Sequence, residues 1–233
     1  MSRIAIIPAR GGSKRIPGKN IRPFLGQPII AYSIKVALDS GLFDTVMVST
    51  DSEEIASVAK DYGATVPFLR SEGNSGDYAT TVDVVSEVLS AYKEQGVRFD
   101  TAVCIYPTAP FITPERLLEA VTLLESSSDA MPVDSVVPVV RFSFPPQRGF
   151  IIENGYTVMK QPEFMMTRTQ DLEPMYHDSG QFYCLNVGAF ERTHKFFMEH
   201  LKTIELDETE VQDIDNETDW ILAELKYRLL HNL

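Results

Sequence analysis

The sequence is that of an acidic protein of ordinary globular composition. It has 233 residues, of which 44% are hydrophobic, and its 21 Lys and Arg stand against 33 Asp and Glu, a formal net charge of −12. This balance argues against general binding to nucleic acid or to an anionic membrane. No apolar run reaches the roughly 20 residues of a membrane span. We therefore expect one domain with a single substantial core and a small-molecule ligand.

The cysteines and the N-terminus indicate a cytoplasmic protein. Cys104 and Cys184 lie in apolar runs without a CxxC or metal-binding spacing, which predicts buried thiols in a reducing compartment. The apolar run 4–7 gives way to a polar and cationic stretch too early for a signal peptide.

Strands and helices alternate through the first 140 residues. Pro28 is expected as the first residue of a helix that stops at Gly41, and Asp51, with Glu54 three residues later, as the N-cap of the next helix. Predicted strands cover 3–8, 45–50, 65–69, 101–106 and 135–140, and further helices follow Thr80–Thr81 and Thr113–Pro114. This β-α alternation predicts a three-layer α/β fold, a mostly parallel sheet with helices on both faces.

The alternation of predicted strands and helices stops at residue 141. The stretch 141–178 is irregular and rich in aromatic residues and methionine, which predicts an inserted arm or flap that covers the substrate or packs on a second subunit. The alternative is a surface excursion that only covers the sheet edge. Strands near 180–187 and 203–206 and a helix over about 216–230 then complete a single domain that spans residues 1–233.

The loop after the first strand has the chemistry of a polyphosphate site. Residues 7–20 read IPARGGSKRIPGKN, with glycines that let backbone N–H groups approach a ligand and with four cations. Seven cations precede the first acidic residue, Asp39, so positive charge is concentrated at this end of an acidic chain. Neither the Walker pattern nor G-x-G-x-x-G fits the string. The alternative is a basic surface that only aids solubility.

The same string resembles the opening signature of the CMP-sialic acid synthetase family, the cytidylyltransferases that activate sugar acids. YPTAPF at 106–111 is similar to the family's QPTSP segment, and QDIDNETDW at 212–220 to its closing aspartate motif. KNIRPFLGQPIIAYSI, VPFLR and YHDSGQFY resemble most the branch that uses pseudaminic acid. Tyr106, where sialic-acid members have glutamine, and HDSGQFY, where they have an NGAIY-type segment, point away from N-acetylneuraminic acid.

The resemblance implies a Rossmann-like nucleotidyltransferase fold and transfer of CMP from CTP to the anomeric hydroxyl of a nine-carbon sugar acid, with release of pyrophosphate. It assigns Arg10 and Lys19 to the triphosphate, with Lys14 and Arg15 as weaker candidates. It adds a set of nucleotide contacts: Ala9, Gly11, Gly12, Ser13, Asn20, Arg70, Thr80 and Thr81. For the two threonines, plain helix capping is the alternative.

Two aspartates near the end of the chain have the pattern of a metal site. Alternation along an extended segment places Asp213 and Asp215 on one side and Ile214 on the other. Mg²⁺ prefers oxygen ligands and takes one or two protein carboxylates with phosphate oxygens and water. The alternative is that these aspartates cap the following helix. With Arg10 and Lys19, Asp215 completes the expected catalytic set.

The candidate sugar contacts lie in the middle of the chain. Arg148 and Arg168 offer the guanidinium fork that matches a carboxylate, unless they are ordinary surface residues. His177, for which a purely structural role is the alternative, Asp178 and Gln181 fall in YHDSGQFY, and Tyr106 joins them by its place in YPTAPF.

The prediction is thus a Mg²⁺-dependent cytidylyltransferase for pseudaminic acid that forms a homodimer through its arm. The same chemistry on legionaminic or N-acetylneuraminic acid is one alternative. A non-catalytic nucleotide sensor on the same fold is another, and it would be expected to have lost Arg10, Lys19 or an aspartate.

Overall fold

The computed structural model describes residues 1–76 and 78–233. Its strands are β1 (Arg3–Pro8), β2 (Pro23–Phe24), β3 (Gln27–Pro28), β4 (Thr45–Ser49), β5 (Thr101–Ile105), β6 (Ser135–Arg141), β7 (Phe150–Glu153), β8 (Tyr156–Met159), β9 (Tyr176–Asp178), β10 (Phe182–Asn186) and β11 (Leu201–Leu206). Its α-helices are α1 (Ile29–Asp39), α2 (Glu53–Asp61), α3 (Thr81–Glu94), α4 (Pro114–Glu125), α5 (Val187–Thr193) and α6 (Glu217–His231).

The central sheet has the strand order β11-β6-β10-β5-β1-β4, and β9 pairs with β6. Strands β1, β4 and β5 run parallel to one another, and β6 runs parallel to β11, whereas β10 is antiparallel to β5 and β6. The expected mostly parallel α/β fold is therefore confirmed, with β9 and β10 as the reversed strands.

Helices cover both faces of this sheet, and the side chains of its inner strands are largely apolar and buried on both faces. Ile7 points into a core shared with α1, α2 and α4, and Ile6 into a second core shared with α3 and α5. β1 is therefore buried on both faces, as expected for a parallel strand inside an α/β sheet. Its carboxyl end, next to that of β5, opens toward solvent at a single edge of the sheet.

Three predicted local features are corrected. Residues 65–69 do not form a strand; only Thr65 makes a bridge, to Met47, because Pro67 lacks the N–H that a ladder needs. Ser52 caps α2, accepting from the N–H of Ile55, so the cap is one residue later than Asp51. Pro28 is likewise the residue before α1 and not its first member.

Between β6 and β9 the chain leaves the central sheet. β7 and β8 pair only with each other, and the short 3₁₀ turns around them carry the rest of the segment. Among the described residues, no helix has both the length and the apolar character needed to cross a membrane.

Candidate active site

Two adjoining cavities open at the carboxyl ends of β1 and β5 and share Pro8, Arg10 and Tyr106. The main lobe, of about 400 Å³, is lined by the opening loop, by residues 106–108 and by Asp213 and Asp215. The side lobe, of about 220 Å³, is lined by Arg70, Asn74, Gly76 and the start of α3. This is the edge at which ligands bind in open α/β sheets.

The opening loop is fixed by contacts to its own chain. The N–H of Gly11 donates to Asp51 Oδ1 at 2.8 Å, and the side-chain amide of Asn20 donates to the carbonyl of Arg10 at 2.9 Å. A Cβ at position 11 would lie 3.2 Å from Ser52 Cβ, so glycine permits this close approach. The Asp51 carboxylate therefore fixes the loop from outside, and Asn20 stabilises it from within. Nothing in the sequence indicated this role for Asp51.

Lys19 joins the two ends of the chain. Its ammonium group donates to the carbonyl of Ile214 at 2.7 Å and lies near Asp213 and Asp215. Burial lowers the pKa of Lys19, and the two aspartates oppose that effect. Ile214 is fully buried in the same cluster as Ile16 of the opening loop. A shared apolar anchor thus brings the cations and the carboxylates to one cleft.

Asp213 and Asp215 both line the main lobe while Ile214 points into the core, the arrangement that alternation predicts. Asp215 Oδ2 lies 2.7 Å from Arg15 Nη1 in a solvent-exposed ion pair. The pKa of Asp213 is raised, first because its carboxylate is partly desolvated in the cleft and then because Asp215 is close. Two neighbouring carboxylates that repel each other are stabilised by a cation between them.

The alternative of helix capping is wrong for both aspartates. Asn216 is the N-cap of α6, and it forms a capping box with Asp219. Asp219 also accepts from the N–H of Asp215 at 2.9 Å, so it fixes the segment that presents the pair. The Asn-x-x-Asp spacing carried this signal in the sequence.

The donor set of the main lobe fits a divalent ion that also binds phosphate. Within residues 1–76 and 78–233, no group of three or more His, Cys, Asp and Glu side chains is placed to hold a metal. A divalent ion held by these two carboxylates would therefore need further oxygen ligands from a bound polyphosphate, which is how Mg²⁺ is usually held with nucleotides.

The side lobe collects the remaining nucleotide candidates. Arg70 is buried, donates from Nε to Ser49 Oγ at 3.1 Å and also contacts the Ser49 carbonyl, and burial lowers its pKa. Thr80 caps α3 in a capping box with Asp83, so the capping alternative is confirmed for it although it also lines the cavity. Asn74, which donates to Glu87 at 2.7 Å, is a lining residue that the sequence reading missed.

Of the candidate sugar contacts, Tyr106 lines the cleft, whereas the others lie outside its lining. Tyr106 lines both lobes. Asp178 accepts a hydrogen bond from the Tyr183 hydroxyl. Gln181 is buried, and its side-chain amide donates a hydrogen bond to the carbonyl of Glu210. His177 is exposed on β9, with Nδ1 2.9 Å from the carbonyl of Asp178 and its ring against Phe142.

The two arginine candidates lie outside the cleft of this chain. Arg148 contacts Thr169 Oγ1 at 3.3 Å and borders an apolar cavity of about 670 Å³ inside the arm. Arg168 forms an exposed ion pair with Asp171 at 2.6 Å. Their assignment to a sugar carboxylate stays a prediction.

Fold and cleft together define a class, the nucleotide-binding α/β proteins whose ligand sits beyond the carboxyl ends of parallel strands. Residues 4–214 match the family model described as Cytidylyltransferase. The chain therefore belongs to the cytidylyltransferase family and is a CTP-dependent nucleotidyltransferase, as the resemblance of its motifs implied.

Relatives extend over the whole chain. The pseudaminic acid cytidylyltransferase of Campylobacter jejuni subsp. jejuni serotype O:2 is 38% identical, with 99% of this chain and 98% of that protein covered. The CMP-N,N'-diacetyllegionaminic acid synthase of Legionella pneumophila is 37% identical, with 96% and 95% covered. The solved structure of CMP:2-keto-3-deoxy-manno-octonic acid synthetase complexed with CTP superposes on this chain with a TM-score of 0.70 at 16% identity. The superposition covers 100% of both chains and supports the fold.

Proposed function

We propose that the protein transfers CMP from CTP to the anomeric hydroxyl of a nonulosonic acid, and that its sugar substrate is pseudaminic acid. The observation that carries the proposal is the main lobe, where the cationic opening loop faces Asp213 and Asp215 across one cleft. Full-length similarity to a pseudaminic acid cytidylyltransferase supports the choice of sugar. Similarity of nearly the same strength to a legionaminic acid enzyme makes that sugar the first alternative to test.

In this reaction the oxygen of the sugar hydroxyl attacks the α-phosphorus and the hydroxyl gives up its proton. The bond from that phosphorus to the bridging oxygen of the β-phosphate breaks, and pyrophosphate leaves. Such a displacement depends on positioning and on stabilising negative charge. Arg10 and Lys19 are suited to that task because they line the lobe where the triphosphate would lie. The tether from Lys19 to Ile214 holds its ammonium group in place before any ligand arrives.

The backbone of the opening loop would support the same phosphates. Gly12 has no atom within 4 Å of a Cβ placed on it, so its backbone is open to a ligand, and the Ser13 side chain lines the lobe. Ala9 continues β1 through its N–H bond to the carbonyl of Ser49 and sets where the loop departs. Asn20 acts here by shaping the loop, whether or not it also reaches the nucleotide.

Asp213 and Asp215 would hold Mg²⁺ together with phosphate oxygens. The ion supplies charge neutralisation at the phosphates when it is bound. To bind the metal, Asp215 would give up its ion pair with Arg15. The loss of free energy would be small, because the pair is exposed and such pairs contribute little to stability. Arg15 would then be released toward the triphosphate.

The side lobe is proposed to hold the cytidine. Arg70, Thr80 and Thr81 form one wall of a cavity that adjoins the main lobe at Arg10. The buried guanidinium of Arg70 is held by Ser49 and is therefore preorganised, which lowers the entropic cost of a ligand contact.

We further propose that the arm, residues 141–178, forms a homodimer interface. The arm exposes large apolar side chains: Phe144, Phe150, Ile152, Tyr156 and Met166. In a dimer, Arg148 or Arg168 of one arm would be available to the sugar carboxylate at the other subunit's cleft. A reducing cytoplasmic location fits the free, buried Cys104 and Cys184.

Incubation of the protein with CTP, Mg²⁺ and each sugar acid in turn tests the proposal. The expected result is pyrophosphate release and a CMP-sugar with pseudaminic acid at the highest kcat/KM. Faster turnover of legionaminic or N-acetylneuraminic acid would replace the sugar assignment, and CTP binding without turnover of any acid would overturn the function.

A further inference from the structure

The segment that presents Asp213 and Asp215 is irregular, and side chains hold its backbone. Residues 211–215 lie between β11 and α6 and belong to no helix or strand. Backbone N–H and carbonyl groups need hydrogen-bond partners, and outside regular structure those partners come from side chains or solvent. Two of the side chains that supply them, Asp219 and Lys226, belong to α6, the helix that directly follows the segment.

Asp219 holds the end of the segment that is next to α6. Its Oδ2 accepts from the N–H of Asp215 at 2.9 Å and from the N–H of Asn216 at 3.0 Å. The bond to Asn216 belongs to the capping box of α6, whereas the bond to Asp215 is additional to it. Asp219 therefore fixes the backbone of the very residue whose carboxylate faces the cleft.

Lys226 holds the other end of the segment from two turns further along the same helix. Its ammonium group donates to the carbonyl of Val211 at 2.7 Å and to the carbonyl of Glu208 at 3.0 Å. The side chain of Val211 is buried, so this end is anchored by packing as well. Asp213 thus lies between two residues, Val211 and Asp215, whose backbone α6 holds.

A third carboxylate near a metal site could itself be a ligand, but the geometry places Asp219 behind the pair. Among the described residues, Asp213 and Asp215 are the acidic side chains that line the main lobe, and Asp219 stands outside that lining. One oxygen of Asp219 already accepts two N–H groups. Its contact with the cleft therefore runs through the backbone of Asp215.

Holding this backbone in advance matters for binding an ion. Two carboxylates repel each other, and an irregular segment that was free to move would separate them. An ion with only two protein ligands gains little binding energy with which to order such a segment. When folding has already ordered it, that entropic cost is not paid on binding.

We propose that Asp219 and Lys226 are positioning residues, which hold Asp213 and Asp215 ready to bind a divalent ion together with the triphosphate. The inference rests on the proposed function and deepens it. Neither residue touches the ion or the substrates; both act through the backbone of residues 211–215.

Calorimetric titration with CTP, once with Mg²⁺ and once in EDTA, tests the role without turnover. Asp219→Ala should weaken binding of CTP with Mg²⁺ about tenfold and binding of metal-free CTP by less than about twofold. Asp219→Asn should stay within about threefold of wild type in both titrations, because its amide oxygen can accept from the same two N–H groups. An Asp219→Asn variant as weak as Asp219→Ala would show that the charge acts directly and would overturn the positioning role.

Asp83→Ala is the matched control for the loss of a helix cap. Asp83 occupies the same place in the capping box of α3 and accepts from the N–H of Thr80 at 2.9 Å. The melting temperature should fall about as much as in Asp219→Ala, while the strengthening of CTP binding by Mg²⁺ stays at the wild-type value. If both variants lose that strengthening equally, general destabilisation explains the effect and the inference fails.

Lys226→Met provides a second test from the other end of the segment. It keeps most of the length of the side chain and removes the ammonium group, so binding of CTP with Mg²⁺ should weaken about five- to tenfold. Lys93→Met, which removes an ammonium group paired with Glu191 on α5, is its control and should leave both titrations unchanged. An unaffected Lys226→Met variant would remove Lys226 from the proposal.

Amide hydrogen exchange of the ligand-free protein separates this inference from the function on which it rests. By NMR, the amide protons of Asp215 and Asn216 should exchange at least about tenfold faster in Asp219→Ala than in wild type and Asp219→Asn. Unchanged exchange would overturn the inference. A wild type in which Mg²⁺ does not strengthen CTP binding would overturn the metal assignment and this inference together. Metal-strengthened binding without turnover of any sugar acid would overturn only the proposed function.

Discussion

The opening loop, residues 8–20, and the arm, residues 141–178, show opposite ways of preparing a binding surface. The loop is held by distant parts of its own chain at two points, Asp51 and the carbonyl of Ile214, and Asn20 braces it from within. The arm's hairpin pairs only with itself and leaves Ile152 78% exposed. The loop is therefore preorganised for its ligand within one chain, whereas the arm lacks a partner for its apolar side chains.

This difference suggests a division of labour. Every cytidylyltransferase must hold the same triphosphate, and the loop meets that need with charges fixed in advance, which is how enzymes stabilise developing charge without reorganisation. The arm, with its exposed aromatic residues, is suited to a second surface such as another subunit. The following changes break one region while leaving the other intact.

The largest effect is expected from Asp215→Ala. If the proposed metal assignment is right, removing this carboxylate takes away one of the two carboxylates that would hold Mg²⁺, and turnover should fall by at least about 100-fold. Circular dichroism and melting should remain close to wild type because the side chain is partly exposed and α6 is capped by Asn216. Asp129→Asn, an exposed carboxylate far along the chain, is the control. Retained activity would discard the metal assignment.

A charge on the arm should separate subunits. Ile152→Glu places a carboxylate in the exposed face of the hairpin, and sedimentation at micromolar concentration should change from dimer to monomer. If the partner's arm supplies the sugar carboxylate contact, the KM for the sugar acid should rise about tenfold while CTP binding measured by calorimetry is unchanged. A wild-type monomer under these conditions would refute the dimer.

A less ordered opening loop should weaken the binding of CTP and leave the binding of the sugar acid unchanged. Asp51→Ala removes the acceptor for the N–H of Gly11, so the loop becomes less ordered before CTP binds, and the KM for CTP should rise by about three- to tenfold. Ser52, the true cap of α2, is retained, so the helix should stay intact. Equal rises in the KM for both substrates would show that the loop does not act separately from the sugar site.

The smallest effect concerns stability in the absence of metal. Folding raises the pKa of Asp213, so its contribution to stability is present below the ordinary aspartate pKa and is lost as pH rises through the folded value. Asp213→Asn should therefore raise the Tm by about 1–2 °C at pH 7 and have no such effect near pH 3. Differential scanning calorimetry at both pH values measures this, and a gain that persists at pH 3 would contradict the charge explanation.

Much of the chemistry could be predicted from local sequence. An apolar strand followed directly by glycines and cations predicted the position of the phosphate loop. The alternation of Asp213, Ile214 and Asp215 predicted that both carboxylates lie on one side of the segment. These features depend on backbone geometry over a few residues, which sequence spacing reports directly. The cap at Ser52 was missed by one residue because Asp51 is an equally good cap by type and only its contact with Gly11 removes it from that role.

The sequence by itself thus determined the residue types, the order of the elements and the charges that a nucleotide site needs. Tertiary structure decided which of them meet. Only folding buries Ile16 and Ile214 in one cluster and brings Lys19 across 195 positions to the aspartate segment. Contacts between residues far apart in sequence depend on packing and leave no local pattern, which is why the contacts of Lys19 with Ile214 and of Gly11 with Asp51 could not be predicted before the fold was known.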